Sequence, residues 1–202
     1  MPPHRHAYRP TVMGARGVVT SAHPLASMAG IQMLQAGGNA VDAAVAVGST
    51  LNVVEPFMSS AGGIGLMLVS RGRTGERHVL DFIGRAPRAS DPAACTDDEL
   101  AGSYGILQTT PQMLLNVLEF GMSIQEAIEA PRVRVYRDRV IDAESRIPAE
   151  TRSGLAERGH NVNLIDDWSW IVGGGQGIVR DPESRALMAG ADPRRDGYAL
   201  AI

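Results

Sequence analysis

The chain has 202 residues, enough for one domain with a sizeable core and hardly for two. At 44% apolar and 20% charged it has the make-up of an ordinary globular protein, and its net charge of −3 leaves no basic footprint for nucleic acid. All 19 basic residues are arginine, which excludes lysine Schiff bases, phosphate-loop lysines and lysine general bases.

Residues 1–13 read as a flexible arm, because MPPHRHAYRP is rich in proline and arginine and has no apolar stretch of secretory-signal type. His4 and His6 lack a third ligand nearby, so no metal site is expected. Residues 14–202 read as a single domain. Gly17 to Ser21 is β-rich and predicts a first strand. His23 stands before Pro24 at a helix entrance, where proline suits the first helical position and the histidine organises the cap. From His23 to Ala36, Leu25, Met28, Ala29, Ile31 and Leu34 recur at helical spacing, and Gly37-Gly38 stop the helix. Asn39 caps a second helix whose run Ala40 to Val47 is apolar nearly all round, which predicts burial on every side. The run to Val54 contains Asp42 and Asn52 and stops short of bilayer length, so no membrane span is expected.

Further on, Leu66 to Ser70 and Arg77 to Phe82 flank a short glycine-containing turn and read as an antiparallel hairpin. The composition changes between Ser90 and Gly102. Cys95 lies there and is the only cysteine, so no internal disulfide can form and nothing argues for an oxidising compartment; cytoplasmic is the default. Without a neighbouring histidine it reads as a loop or pocket thiol. Thr109 to Phe120 predicts a helix capped by Thr109 or Thr110, with Pro111 in its first turn. Gly121 ends it, and Ser123 caps the next helix, Ile124 to Ala130. Arg132 to Ile141 alternates valine with arginine and reads as one half-exposed strand. A surface helix over Pro148 to Arg158 and a strand over Val162 to Ile165 follow. Gly173 to Gly177 suggests a tight approach to a neighbouring backbone, and a final hairpin joins Ile178 to Arg180 with Ala186 to Ala189.

Three blocks near the start carry a resemblance: HPLAS, QAGGNAVDAAVA and VVEPFMSSAGGIG. Together with LLNVLEFGMSIQEAIEAP, Arg158-Gly159-His160 and Gly190 to Arg194, they resemble the γ-glutamyltranspeptidase family, in its acylase-like branch. Residues 14–90 resemble the start of that family's large subunit, and residues 102–202 the end of its small subunit. The resemblance implies an α+β fold, a four-layer α/β/β/α N-terminal-nucleophile hydrolase sandwich of antiparallel sheets, here truncated. It implies γ-glutamyl transfer, or hydrolysis of glutathione or related amides, with no cofactor. Family members cut themselves before a threonine, whose freed α-amine then serves as base for its hydroxyl. The family's Thr-Thr-His context is absent from this chain; Thr109-Thr110 is followed by Pro111. No catalytic residue is therefore assigned.

Two weaker positions remain. An arginine after the hairpin strand meets the substrate carboxylate in the family, directly after an Asp-Phe where this chain has Ile83; Arg85 is the candidate in reach, and its other reading is a strand-end surface arginine. The family's oxyanion hole uses backbone N–H groups of a Gly-Gly before a serine, and Ala101-Gly102-Ser103 occupies the matching place. Two functional readings stand. One is an amidohydrolase or acyltransferase that binds a small γ-glutamyl or acyl-amide ligand and obtains its nucleophile elsewhere. The other is a non-catalytic scaffold or interaction protein from an internally deleted gene. A homo-oligomer is compatible with either; nucleic acid and membrane are not expected partners.

Overall fold

The computed structural model describes residues 7–84, 88 and 101–202, with the backbone alone at 101–104, 136 and 137. In chain order the elements are β1 (Val12–Gly14), β2 (Val18–Ser21), α1 (Pro24–Gln35), α2 (Ala40–Val54), β3 (Leu66–Ser70) and β4 (Arg77–Asp81). There follow α3 (Ala101–Leu118), α4 (Ile124–Glu129), β5 (Val133–Arg137), β6 (Val140–Glu144), α5 (Ala149–Glu157), β7 (Asn161–Ile165), β8 (Gln176–Arg180), β9 (Leu187–Ala191) and β10 (Tyr198–Ala201). The fold is α+β. Its strands form four small sheets, ordered β1-β9-β8, β10-β2, β3-β4 and β5-β6-β7.

The helix ends follow local chemistry. His23 Nδ1 accepts from Leu25 N–H at 3.2 Å, and Asn39 and Asp42 exchange side-chain and backbone hydrogen bonds in a capping box. Ser123 and Glu126 make a second box at α4. Gly37 stops α1 with a φ of 91°, a left-handed value that costs glycine nothing.

Packing departs from the sequence reading in several places. Helix α1 buries Ile31 of the expected apolar face together with the small residues Ala26, Ser27 and Gly30, whereas Leu25 and Met28 are exposed. A side chain at Gly30 would stand 2.8 Å from Val47 and 2.9 Å from Val19, so glycine sets the close crossing of α1 over β2 and α2. Helix α2 is not enclosed. Only Ala43 is buried in it; Ala44 is exposed, and Val45 and Val53 are 62% and 78% exposed. An all-round apolar helix needs neighbours on all sides, and among the described residues α2 gains its main one in α1.

Residues 8–13, read from the sequence as part of a flexible arm, are held against the rest of the chain. Val12 and Met13 pair with Ala189 and Met188, and the Tyr8 and Arg9 N–H groups donate to the Glu129 carboxylate. The chain's last strand, β10, pairs antiparallel with β2 from Tyr198↔Ser21 to Ala201↔Val18. Neither short strand stands out by propensity; each exists through its partner. What reads as one strand over 132–141 is a hairpin, β5–β6, turned by Asp138 at a φ of 53° and Arg139. Strand β7 then runs parallel to β6 after the α5 crossover, so the sheets are not all antiparallel. The apolar core is thin. Val19, Ile31 and Ala43 form one cluster with Leu34, Val47 and Leu200; Ala189, Ala191 and Ala199 form another. Alanines dominate it, and much of the remaining buried volume is polar.

Candidate functional site

The buried polar volume centres on the β5–β6 hairpin. Arg132 and Arg134 alternate with Val133 and Val135, but the arginines point inward: Arg132 is 1% and Arg134 7% exposed, against 41% for Val135. Their register explains this. Arg134 stands opposite Asp142, with Nη2 donating to Oδ2 at 2.9 Å, and Glu144 lies two residues along the same face. Glu144 is fully buried. It accepts from the Arg132 N–H at 2.8 Å, the Ser169 N–H at 3.2 Å, Arg146 at 3.1 Å, and Arg194 through Nε at 2.7 Å and Nη2 at 2.6 Å. Asp192, equally buried, accepts from Arg132 Nη2 at 2.6 Å, Arg194 Nη1 at 3.1 Å and the Gly175 N–H at 2.9 Å.

Arg132 Nη1 donates to the Val172 carbonyl at 3.1 Å and Arg134 Nη1 to that of Ile171 at 3.3 Å, and other guanidinium donors reach the last carbonyls of α4. Arg194 donates to Ile128 at 3.0 Å and Ala130 at 3.0 Å, Arg146 donates to Glu129 at 2.8 Å, and Arg132 also donates to Ile128. Cations at a helix C-terminus satisfy carbonyls that have no partner within the helix. Trp168 closes the cluster, with the Arg146 guanidinium 3.6 Å and that of Arg194 5.1 Å from its ring centre. Burial pulls the Arg132 and Arg146 guanidiniums below the usual arginine range, against the opposing pull of Asp192 and Glu144. At Arg194 burial also pulls down, but hydrogen bonds and charges from Glu144 and Asp192 outweigh it and raise the value. Arginines that stay charged do not exchange protons near neutrality. The cluster is a positioning framework: it binds α4, the β5–β6 hairpin and the Asp192 turn to the Gly173–Gly175 loop.

That loop rims a cleft of about 530 Å³ between α3 and the 3₁₀ turn Trp170–Val172. Ile106, Thr110, Met113, Trp170 and Arg195 line it, and Arg195 donates to the Trp170 carbonyl at 3.2 Å. A side chain at Gly175 would come 2.4 Å from Met113 Sδ, and one at Gly174 2.8 Å from Arg195 Cδ. The glycines thus admit side chains, not the neighbouring backbone expected from the sequence.

Helix α3 begins at Ala101, eight residues before the predicted start, and carries Pro111 in its interior. Thr109 and Thr110 are therefore not caps. Thr109 is buried with its hydroxyl donating to the Gly105 carbonyl at 2.8 Å, one turn back, while Thr110 faces the cleft. Ala101 and Gly102 are the first two described residues of α3. Arg85 and Cys95 lie outside the described residues. Among the described residues, no group of three or more His, Cys, Asp or Glu is placed to hold a metal, and no helix is long and apolar enough to cross a membrane. Sequence reading missed Arg132, Arg134, Glu144, Asp192 and Arg194. A signal was present: Arg-Val-Arg facing Asp-Ala-Glu across a short turn matches charges at period two.

The γ-glutamyltranspeptidase family model matches residues 26–101 and again 100–202. The acylase ACY 1 proenzyme of Pseudomonas sp. (strain V22) is 46% identical over 191 residues, covering 93% of this chain and 33% of that protein. The glutathione hydrolase proenzyme of Bacillus subtilis (strain 168) is 45% identical over 91 residues, covering 45% of this chain and 16% of that protein. The chain thus spans a third or less of the length of these relatives. Among solved structures, cephalosporin acylase from Bacillus halodurans aligns with a TM-score of 0.44 at 32% identity, over 46% of this chain and 17% of that one. With the family model accounting for nearly all of its sequence in two consecutive blocks, the chain belongs to the γ-glutamyltranspeptidase family.

Proposed function

We propose that this chain is a γ-glutamyltranspeptidase-like protein that, as it stands, neither transfers nor hydrolyses γ-glutamyl or acyl amides, because it has no threonine able to serve as nucleophile. The observation that carries this reading is the position of Thr109-Thr110, the sole Thr-Thr pair. A nucleophile of this kind needs a free α-amine, so the chain would have to be cut before one of them. Either cut falls in the middle of the 18-residue helix α3, and Thr109 is buried there with its hydroxyl bonded to Gly105. Self-cleavage would break the helix that walls the cleft. The purified chain should remain one band near 21.4 kDa on long incubation and leave γ-glutamyl anilide and glutaryl amides intact. Two fragments, one with a new amino-terminal threonine, would sink the proposal.

Ligand binding without turnover is the part of the family chemistry left to the chain. Arg85 is its proposed carboxylate partner, and the N–H groups of Ala101 and Gly102 are the proposed oxyanion donors. One bidentate ion pair supports no better than about millimolar affinity once association costs are met. Glutarate should give saturable NMR shifts that vanish in Arg85→Ala and persist in Arg88→Ala; equal loss in both would mean diffuse charge attraction. A second reading, a non-catalytic scaffold or interaction protein in the cytoplasm, draws support from the large apolar side chains exposed on β3 and β4.

A further inference from the structure

The β3–β4 hairpin has two unlike faces. Its register sets Leu66 opposite Asp81, Leu68 opposite Val79 and Ser70 opposite Arg77, so these six residues share one face. Met67, Val69, His78 and Leu80 share the other. The second face looks towards the start of α2, where Val69, His78 and Leu80 line a cleft with Val41 and Asp42. The first face looks outward. Leu66, Leu68 and Val79 are 65%, 71% and 70% exposed, and no described element covers them. A two-stranded hairpin with a bare leucine-valine face is marginal by itself, and an apolar sheet face is stabilised by packing on another about 10 Å away.

The charges on this face select the occupant. Along β4 the outward residues run Arg77, Val79, Asp81: basic, apolar, acidic, with the apolar residue midway. Among the described residues neither Arg77 nor Asp81 has an ion-pair partner in its own chain; Asp81 only accepts from the Ile83 N–H at 2.9 Å. Such a face is complementary to itself. Two copies can meet face to face about a two-fold axis lying in the interface, and two such axes keep their strands aligned, one along the strands and one across them. An axis along the strands lays β4 over β3, putting Arg77 against Ser70 and Asp81 against Leu66, with both charges unmatched. An axis across the strands at the Leu68–Val79 level reverses β4 on β4. Arg77 then meets Asp81 of the second copy twice, around a centre of leucine and valine.

We propose that the outward face of the β3–β4 hairpin is a self-association surface that takes a second copy of this chain about the cross-strand axis, with reciprocal Arg77–Asp81 pairs. Sedimentation equilibrium from micromolar to millimolar concentration reads it directly. The chain should show a reversible monomer–dimer equilibrium, weakened beyond detection by Leu68→Asp. Arg77→Asp and Asp81→Arg should each weaken it by roughly tenfold or more, since each places like charges together at two symmetric points. Two mixtures of charge restore the match: the double variant R77D/D81R with itself, and the two single variants with each other as a heterodimer. All these positions are exposed, so far-ultraviolet circular dichroism should be unchanged. A chain that stays monomeric at millimolar concentration overturns the proposal. So does a dimer indifferent to Leu68→Asp, or one weakened by the single charge reversals and rescued by neither combination. None of these outcomes depends on whether the chain has hydrolase activity.

Discussion

Glu144→Gln removes one charge from the centre of the buried cluster and alters little else. The side chain keeps its volume, but one oxygen becomes an NH₂ group among donors. Glu144 now serves two guanidiniums and two backbone N–H groups, and its side chain is 0% exposed. The glutamine can accept at one atom only: whichever oxygen it keeps, Arg194 retains one of its two bonds there, while the donors at the other atom, including the Arg132 or the Ser169 N–H, lose their acceptor and face an NH₂ group. Breaking a buried pair from one side costs about 3–5 kcal/mol. For a domain of this length each kcal/mol moves the melting point by about 2–4 °C, so Tm should fall by about 6–20 °C. Thermal unfolding followed by circular dichroism measures this. Tryptophan fluorescence should change in the folded state as well, since Trp168 stacks on Arg146 at 3.6 Å. The control is Arg71→Ala, which breaks the exposed pair to Glu76 at 3.5 Å and should cost no more than about 1 kcal/mol. A Glu144→Gln protein that melts within about 2 °C of the parent would refute the claim that charge pairing holds this region together.

Ala44→Asp, on the open side of α2, should change stability by no more than about 0.5 kcal/mol; a loss of several would mean that α2 is enclosed after all. Gly190→Ala puts a methyl 3.0 Å from Gln125 Oε1 and 3.1 Å from the α4 backbone, and should cost about 1–3 kcal/mol by urea unfolding, with no change in the m-value. Asp181 accepts from the Ser184 N–H and hydroxyl and from the Glu183 N–H, which hold its carboxyl below 3.8. Because the folded value lies below the unfolded one, the turn's stabilisation is complete above 3.8 and is lost as pH falls through the folded value. The Ser184 amide resonance should titrate with a midpoint under 3.8, and a midpoint at or above it would contradict the turn geometry.

What the chain declares by itself is its punctuation and its kinship. His23, Asn39 with Asp42, and Ser123 with Glu126 start helices where the sequence places them, because a cap is made within three or four residues. The hairpins β3–β4 and β8–β9 are legible for the same reason. The ordered blocks from HPLAS to the Asp192-Pro193-Arg194 turn carry the family. Tertiary structure alone decides which way faces turn. The pattern Arg132-Val133-Arg134-Val135 is compatible with either face inward, and the choice falls to arginine because Asp142, Glu144 and Asp192 wait there. The apolar run of α2 permits burial on every side, yet a helix is only as buried as its neighbours make it. Thr109 could have capped a helix; it lies within one because α3 extends back to Ala101. Strands β1 and β10 take their form from β9 and β2, more than 170 residues away in sequence. Local hydrogen bonds are written in adjacent residues, whereas burial, facing and strand pairing belong to whichever distant surface arrives to complete them.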